Sequence, residues 1–95
     1  MAESTGESTE RMPAADLAAA ARDSIEALTG FSAESVSALQ WDGESWLVTV
    51  DVCELERVPN TSDVMATYVV QLDEQGGLRG YNRTQRYIRS QTEVG

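Results

Sequence analysis

Apolar positions first recur at helical spacing and then, beyond Phe31, alternate. Leu17, Ala21, Ile25 and Leu28 form one stripe, with Asp16, Arg22, Asp23 and Glu26 on the other sides. That pattern predicts an amphipathic helix of about four turns. Pro13 suits its first position, Gly30 the left-handed residue past its end, and Phe31 can fold back on the last turn. The period then changes to two. "SVSALQW" predicts a first strand, and Asp42-Gly43 signals a hairpin turn. "SWLVTVDVCELERV" alternates through Trp46, Val48, Val50 and Val52 until Pro59 to Asp63 break the run. "VMATYVVQLD" alternates through Ala66, Tyr68, Val70 and Leu72, "EQGG" turns the chain, and "LRGYNRTQRYIR" supplies a fourth strand. Tyr81, Thr84 and Ile88 also fit a short helix, so residues 82–89 have two readings, of which the strand is preferred. The predicted fold is α+β: one N-terminal helix on one face of a four-stranded antiparallel meander sheet, order 1-2-3-4. Connections this short join only antiparallel neighbours.

Alternation assigns the two faces of the sheet. With Leu72 opposite Leu78 and Val58 opposite Val64, the inner face holds Val48, Val50, Val52, Tyr68, Val70, Leu72 and Leu78 under Leu17, Ile25 and Leu28. Glu54 and Glu56 continue that face, with Arg86 diagonal to Glu56 and within reach of an ion pair. The outer face gathers Leu47, Cys53, Leu55, Met65 and Val69 with Arg79, Tyr81, Arg83 and Tyr87. One helix cannot cover it, and Tyr and Arg are enriched at binding hot spots. A one-residue slip in register exchanges the faces.

Composition narrows the function. A chain of 95 residues suits one small domain, read as residues 12–90 between a disordered acidic tail, 1–11, and a disordered end, 91–95. No histidine is present, and Cys53 stands alone. That removes the commonest general base, an internal disulfide and a cysteine-based zinc site. No metal, cofactor or catalytic residue is expected, and the protein reads as a non-enzyme. The acidic start lacks the basic and apolar regions of a leader, and no apolar run approaches a membrane span, so a cytoplasmic protein is expected. Net charge is −9, unevenly spread: residues 1–77 carry −12 and residues 78–95 carry +3. Such a body repels nucleic acid at long range, although the cationic strip "RTQRYIR" has the arginines and the tyrosine for RNA contacts.

From Leu17 to Arg89 the chain resembles the gas vesicle protein O family. The resemblance rests on "ALTGF", "ELERVPNTSDVMATY" and "LDEQGGLRGYNRTQRYIR", taken in combination. It implies an accessory protein required for gas vesicle formation, acting as a protein-binding assembly factor or a minor vesicle component. The partners would be the shell protein and other accessory proteins. The docking residues expected on that basis are Glu54, Glu56, Arg57, Arg79, Tyr81, Arg83, Arg86 and Tyr87. A homodimer through the open sheet edge or the outer face is a further expectation. The alternative is a regulator of vesicle gene transcription or RNA stability acting through the basic strand.

Overall fold

The apolar stripe read from the sequence is what seats the helix. Leu17, Ala21 and Ile25 are fully buried on one side of α1, Ala14–Thr29, in this computed structural model, which describes residues 12–90. The two terminal segments expected to be disordered lie outside the described residues. Pro13 precedes α1 as its N-cap. Gly30, at φ 79°, ends it with an N–H bond to the Glu26 carbonyl, the left-handed closure that glycine adopts at little cost.

Four strands follow: β1 Ser32–Trp41, β2 Trp46–Leu55, β3 Val64–Leu72 and β4 Leu78–Ile88. They form one antiparallel sheet in the order β1-β2-β3-β4. Residues 82–88 are strand, which settles the choice left open by the sequence. The β1–β2 and β3–β4 hairpins are each closed by an aspartate. Asp42 Oδ1 accepts the N–H groups of Glu44 and Ser45, and Asp73 Oδ1 accepts those of Gln75 and Gly77. Gly76, at φ 86°, faces Met12, whose sulfur leaves no room for a Cβ there.

The core lies between α1 and the face carrying Val48, Val50, Val52, Ala66, Tyr68, Val70 and Leu72, as alternation predicts. Ala33 completes it from β1, with Val36, Leu39 and Trp46 partly buried at its margin. Trp46 Nε1 is buried without a hydrogen-bond partner. Leu28 departs from expectation: it belongs to the helical stripe, yet is 50% exposed.

The registers differ from the expected ones in two ways. β2 ends at Leu55, and the connection to β3 is longer than supposed, with a 3-10 turn at Asn60–Ser62. Leu72 therefore faces Trp46 and not Val50. The slip is four residues, an even number, from Trp46 to Cys53, so those β2 side chains keep their faces; Glu54 is then inserted as a bulge, and Leu55, expected on the outer face, stands opposite Val64 on the helix side. β4 is the second case. Leu72 pairs with Leu78 as expected, but Arg79 and Thr84 are each inserted as a bulge. Between them the alternation is inverted, so Tyr81 and Arg83 stand opposite Val70 and Tyr68 on the helix side. Beyond Thr84 the original phase returns: Arg86 is on the helix side, Tyr87 on the other. Thr84 Oγ1 donates to the Thr67 carbonyl at the second bulge. β1 also holds two such irregularities, after Ala33 and after Val36.

Replacing Ile25 by alanine should cost about 2–5 kcal/mol, the range for a buried aliphatic truncation, read as a lower urea midpoint at unchanged slope. Leu28→Ala, at a half-exposed position, should cost less than half as much.

Candidate functional site

α1 lies on β1, β2 and β3. The helix-side face of β4 extends beyond it as an open flank carrying Leu78, Tyr81, Arg83, Arg86 and Ile88. Leu78 and Tyr81 are each 41% exposed. Next to them Glu54 reaches from the end of β2 across β3. One of its oxygens lies 3.2 Å from Arg83 Nη1 and the other 3.0 Å from Arg86 Nε. The row it crosses is occupied by Ala66, opposite Val52 and Arg86, and so small a side chain leaves the path open. The carboxylate side chain is only 7% exposed, whereas the two guanidinium side chains are 49% and 58% exposed. One negative charge thus sits between two positive ones. The Tyr81 ring lies 6.1 Å from that of Tyr68, at a 44° tilt. Burial and then the Glu54 carboxylate push the Tyr68 phenol up.

The other expected docking residues are elsewhere. Arg86 pairs with Glu54 and not with Glu56, because Glu56 and Arg57 leave the ladder after Leu55 and stand exposed in the β2–β3 loop. Arg79 is at the opposite end of the sheet, where its Nη1 donates to the Glu44 carbonyl. Tyr87 is on the outer face with Leu47, Cys53, Met65 and Val69. Tyr81 and Arg83, assigned to that outer face from the sequence, are on the helix side instead. The expected set therefore divides, and Glu54, Tyr81, Arg83 and Arg86 form its one compact group.

The outer face is organised by acids that sequence reasoning did not single out. Asp51 accepts hydrogen bonds from Thr67 Oγ1 at 2.8 Å, Tyr87 Oη at 3.3 Å and Ser35 Oγ at 3.4 Å. Burial, followed by this carboxylate, raises the Tyr87 phenol. Arg89, just past β4, makes a two-pronged bond to Glu34 at 2.9 and 2.7 Å and also reaches Asp63 Oδ2 at 2.9 Å. Asp63 is 4% exposed and accepts the Arg57 N–H at 2.7 Å. That N–H bond and the Arg89 guanidinium hold the Asp63 carboxyl below its ordinary value. Arg89 likewise lowers that of Glu34. Glu34 occupies the first irregular position of β1, which turns it toward Arg89. A cleft of about 340 Å³ lies among Glu34, Ser35, Asp51, Met65, Tyr87 and Arg89. Cys53 is buried, and its thiol is raised by that burial and then by Asp63 and Glu34. A thiol so disposed is a poor nucleophile at neutral pH. No group of metal-ligating side chains occurs among the described residues, and no helix among them is long and apolar enough to cross a membrane.

Residues 1–93 match the family described as gas vesicle synthesis protein GvpO. The chain belongs to this family. It is 46% identical over 66 residues to gas vesicle protein O of Streptomyces sp. (strain CB03234), covering 70% of this chain and 52% of that one. Gas vesicle protein O1 of Halobacterium salinarum is 32% identical over 69 residues, with 73% and 58% covered. Gas vesicle protein O of Haloferax mediterranei is 30% identical over 70 residues, with 73% and 50% covered. The chain spans about half the length of these relatives. No solved structure matches it. The GvpO family is described by gas vesicle synthesis and not by a reaction, in keeping with the kinship inferred from the sequence.

Because the Asp63 and Glu34 carboxyls are lowered in the fold, the unfolded chain binds protons more readily than the native one. Their contribution to stability is complete above about pH 5, beyond the ordinary carboxyl values, and disappears as pH falls through the native values. The urea midpoint should therefore drop on acidification below that point. Asp63→Asn should lower the neutral-pH midpoint and flatten the acid limb; an unaltered limb would refute the assignment.

Proposed function

We propose that this chain acts without catalysis in gas vesicle formation, as a protein-binding assembly factor or minor vesicle component. It docks other vesicle proteins, shell or accessory, on the flank of β4 beyond α1. The observation that carries this reading is the Glu54–Arg83–Arg86 cluster beside the exposed Tyr81, on a sheet face that is otherwise core. Tyrosine and arginine over a partly apolar surface are the side chains that anchor protein interfaces. The acidic remainder, with net charge −9 overall, favours solubility, which a factor handling aggregation-prone shell subunits needs. On this reading the protein works in the cytoplasm, in association with the gas vesicle.

The regulator reading has less support. Each arginine of the cationic strip already has an oxygen partner: Arg79 the Glu44 carbonyl, Arg83 and Arg86 the Glu54 carboxylate, Arg89 those of Glu34 and Asp63. Phosphate binding would have to compete with those bonds inside an acidic body.

Affinity capture from vesicle-producing cells tests the proposal. The parent domain should retain at least one gas vesicle protein, and Arg83→Glu combined with Arg86→Glu should reduce its capture about tenfold or more. Arg79→Glu, at the far end of the sheet, should not. Capture that survives the double substitution, or retention of no vesicle protein by the parent, would overturn the docking role.

A further inference from the structure

The flank of β4 has the dimensions of one more helix. Strands are spaced about 4.8 Å apart, so β4 lies about 9.6 Å from β2, the middle of the three strands under α1. Packed helices lie about 8–10 Å apart. A second helix laid beside α1 at that distance would sit directly over β4. Its floor is defined by the rows opposite Leu72, Val70, Tyr68, Ala66 and Val64, that is Leu78, Tyr81, Arg83, Arg86 and Ile88. Those rows cover about 27 Å of strand, the length of about 18 helical residues.

The chemistry of the floor is graded along that length. Leu78 and Tyr81 offer apolar surface at one end. At the other, two half-exposed guanidinium groups share the single Glu54 carboxylate, leaving one positive charge in excess. A partner that adds a carboxylate there completes the pairing. An incoming strand is less well suited, because the bulges at Arg79 and Thr84 interrupt the ladder twice and spoil β4 as a template for edge pairing. A second copy of this chain cannot supply the helix, since the apolar stripe of α1 is committed to its own core. Residues 1–11, "MAESTGESTER", have no apolar stripe to offer.

We infer that the flank receives one amphipathic helix of a partner protein, antiparallel or parallel to α1, with its apolar stripe on Leu78 and Tyr81 and an acidic side chain on Arg83 and Arg86. The inference rests on the docking role proposed above and specifies what docks.

Synthetic peptides tiling the captured vesicle proteins serve as probes, titrated into the isotope-labelled full chain. The binding peptide should gain helicity by circular dichroism and shift the amide signals of Leu78, Tyr81, Arg83 and Arg86. Exchanging its acidic residues for lysine should weaken it about tenfold, and the Arg83→Glu, Arg86→Glu domain should then prefer the lysine form. Shifts on the Thr49, Asp51 and Thr67 face, or binding in an extended conformation, would overturn the helix. So would full-length partners captured in an Arg83- and Arg86-dependent manner when no tiling peptide binds; that outcome would leave the docking role standing. Loss of capture by the parent chain would remove both.

Discussion

A single α-helix is narrower than a four-stranded sheet, and this mismatch governs the molecule. Helix diameter is about 10–12 Å with side chains, while four strands present about 14 Å between their outer axes and more at their edges. α1 takes the three strands nearest its own chain connection, since it runs straight into β1 through Gly30 and Phe31. The apolar positions of β2 and β3 become core as a result. β4 bears the polar and aromatic remainder and can do so because nothing in α1 requires it to be greasy. The composition of β4, three arginines and two tyrosines near an otherwise aliphatic core, is the sequence trace of a strand that pairs with the sheet but does not close it.

The cationic strip in so acidic a protein also has an internal explanation. Glu54, Glu34 and Asp63 come from β2, β1 and the β2–β3 loop, and the strip neutralises them after the chain has crossed the whole sheet. Arg89 and Glu34 are 55 residues apart, yet they meet because β1 begins and β4 ends at the same end of the sheet, and the two side chains bridge the intervening strands on its outer side. Much of the charge asymmetry along the sequence is thus cancelled locally in space. What is left exposed is carried by Arg79, whose partner is a carbonyl, and by Arg83 and Arg86, which share one carboxylate.

Fold class, element order and core were legible because they rest on local periodicity. A 3.6-residue stripe and a two-residue alternation need no knowledge of partners, and Leu17, Ile25, Val48, Val50 and Val70 follow from them directly. The β2–β3 register was not legible, since it depends on where Pro59 lets the ladder resume, but its even slip spared the faces as far as Cys53, and only Leu55, past the bulge at Glu54, changed sides. The site was read less well for a physical reason. Bulges leave no periodic signal, so Tyr81 and Arg83 were assigned to the wrong face while Arg86 and Tyr87, beyond the second bulge, kept theirs. The Glu34–Arg89–Asp63 group was invisible for a different reason: its members are joined by topology and by an irregular position in β1, neither of which is written in spacing.

The paired bulges of β4 carry one last implication, for how the strand tolerates change in length. Arg79 and Thr84 have no counterparts across the ladder, so removing either would shorten the chain while leaving Tyr81 opposite Val70 and Arg86 opposite Ala66. Removing a residue from within the span between them would instead rotate its neighbours through the sheet. Two insertion points thus flank a stretch whose length is fixed, and a gap in that stretch would alter the exposed surface more than many substitutions could.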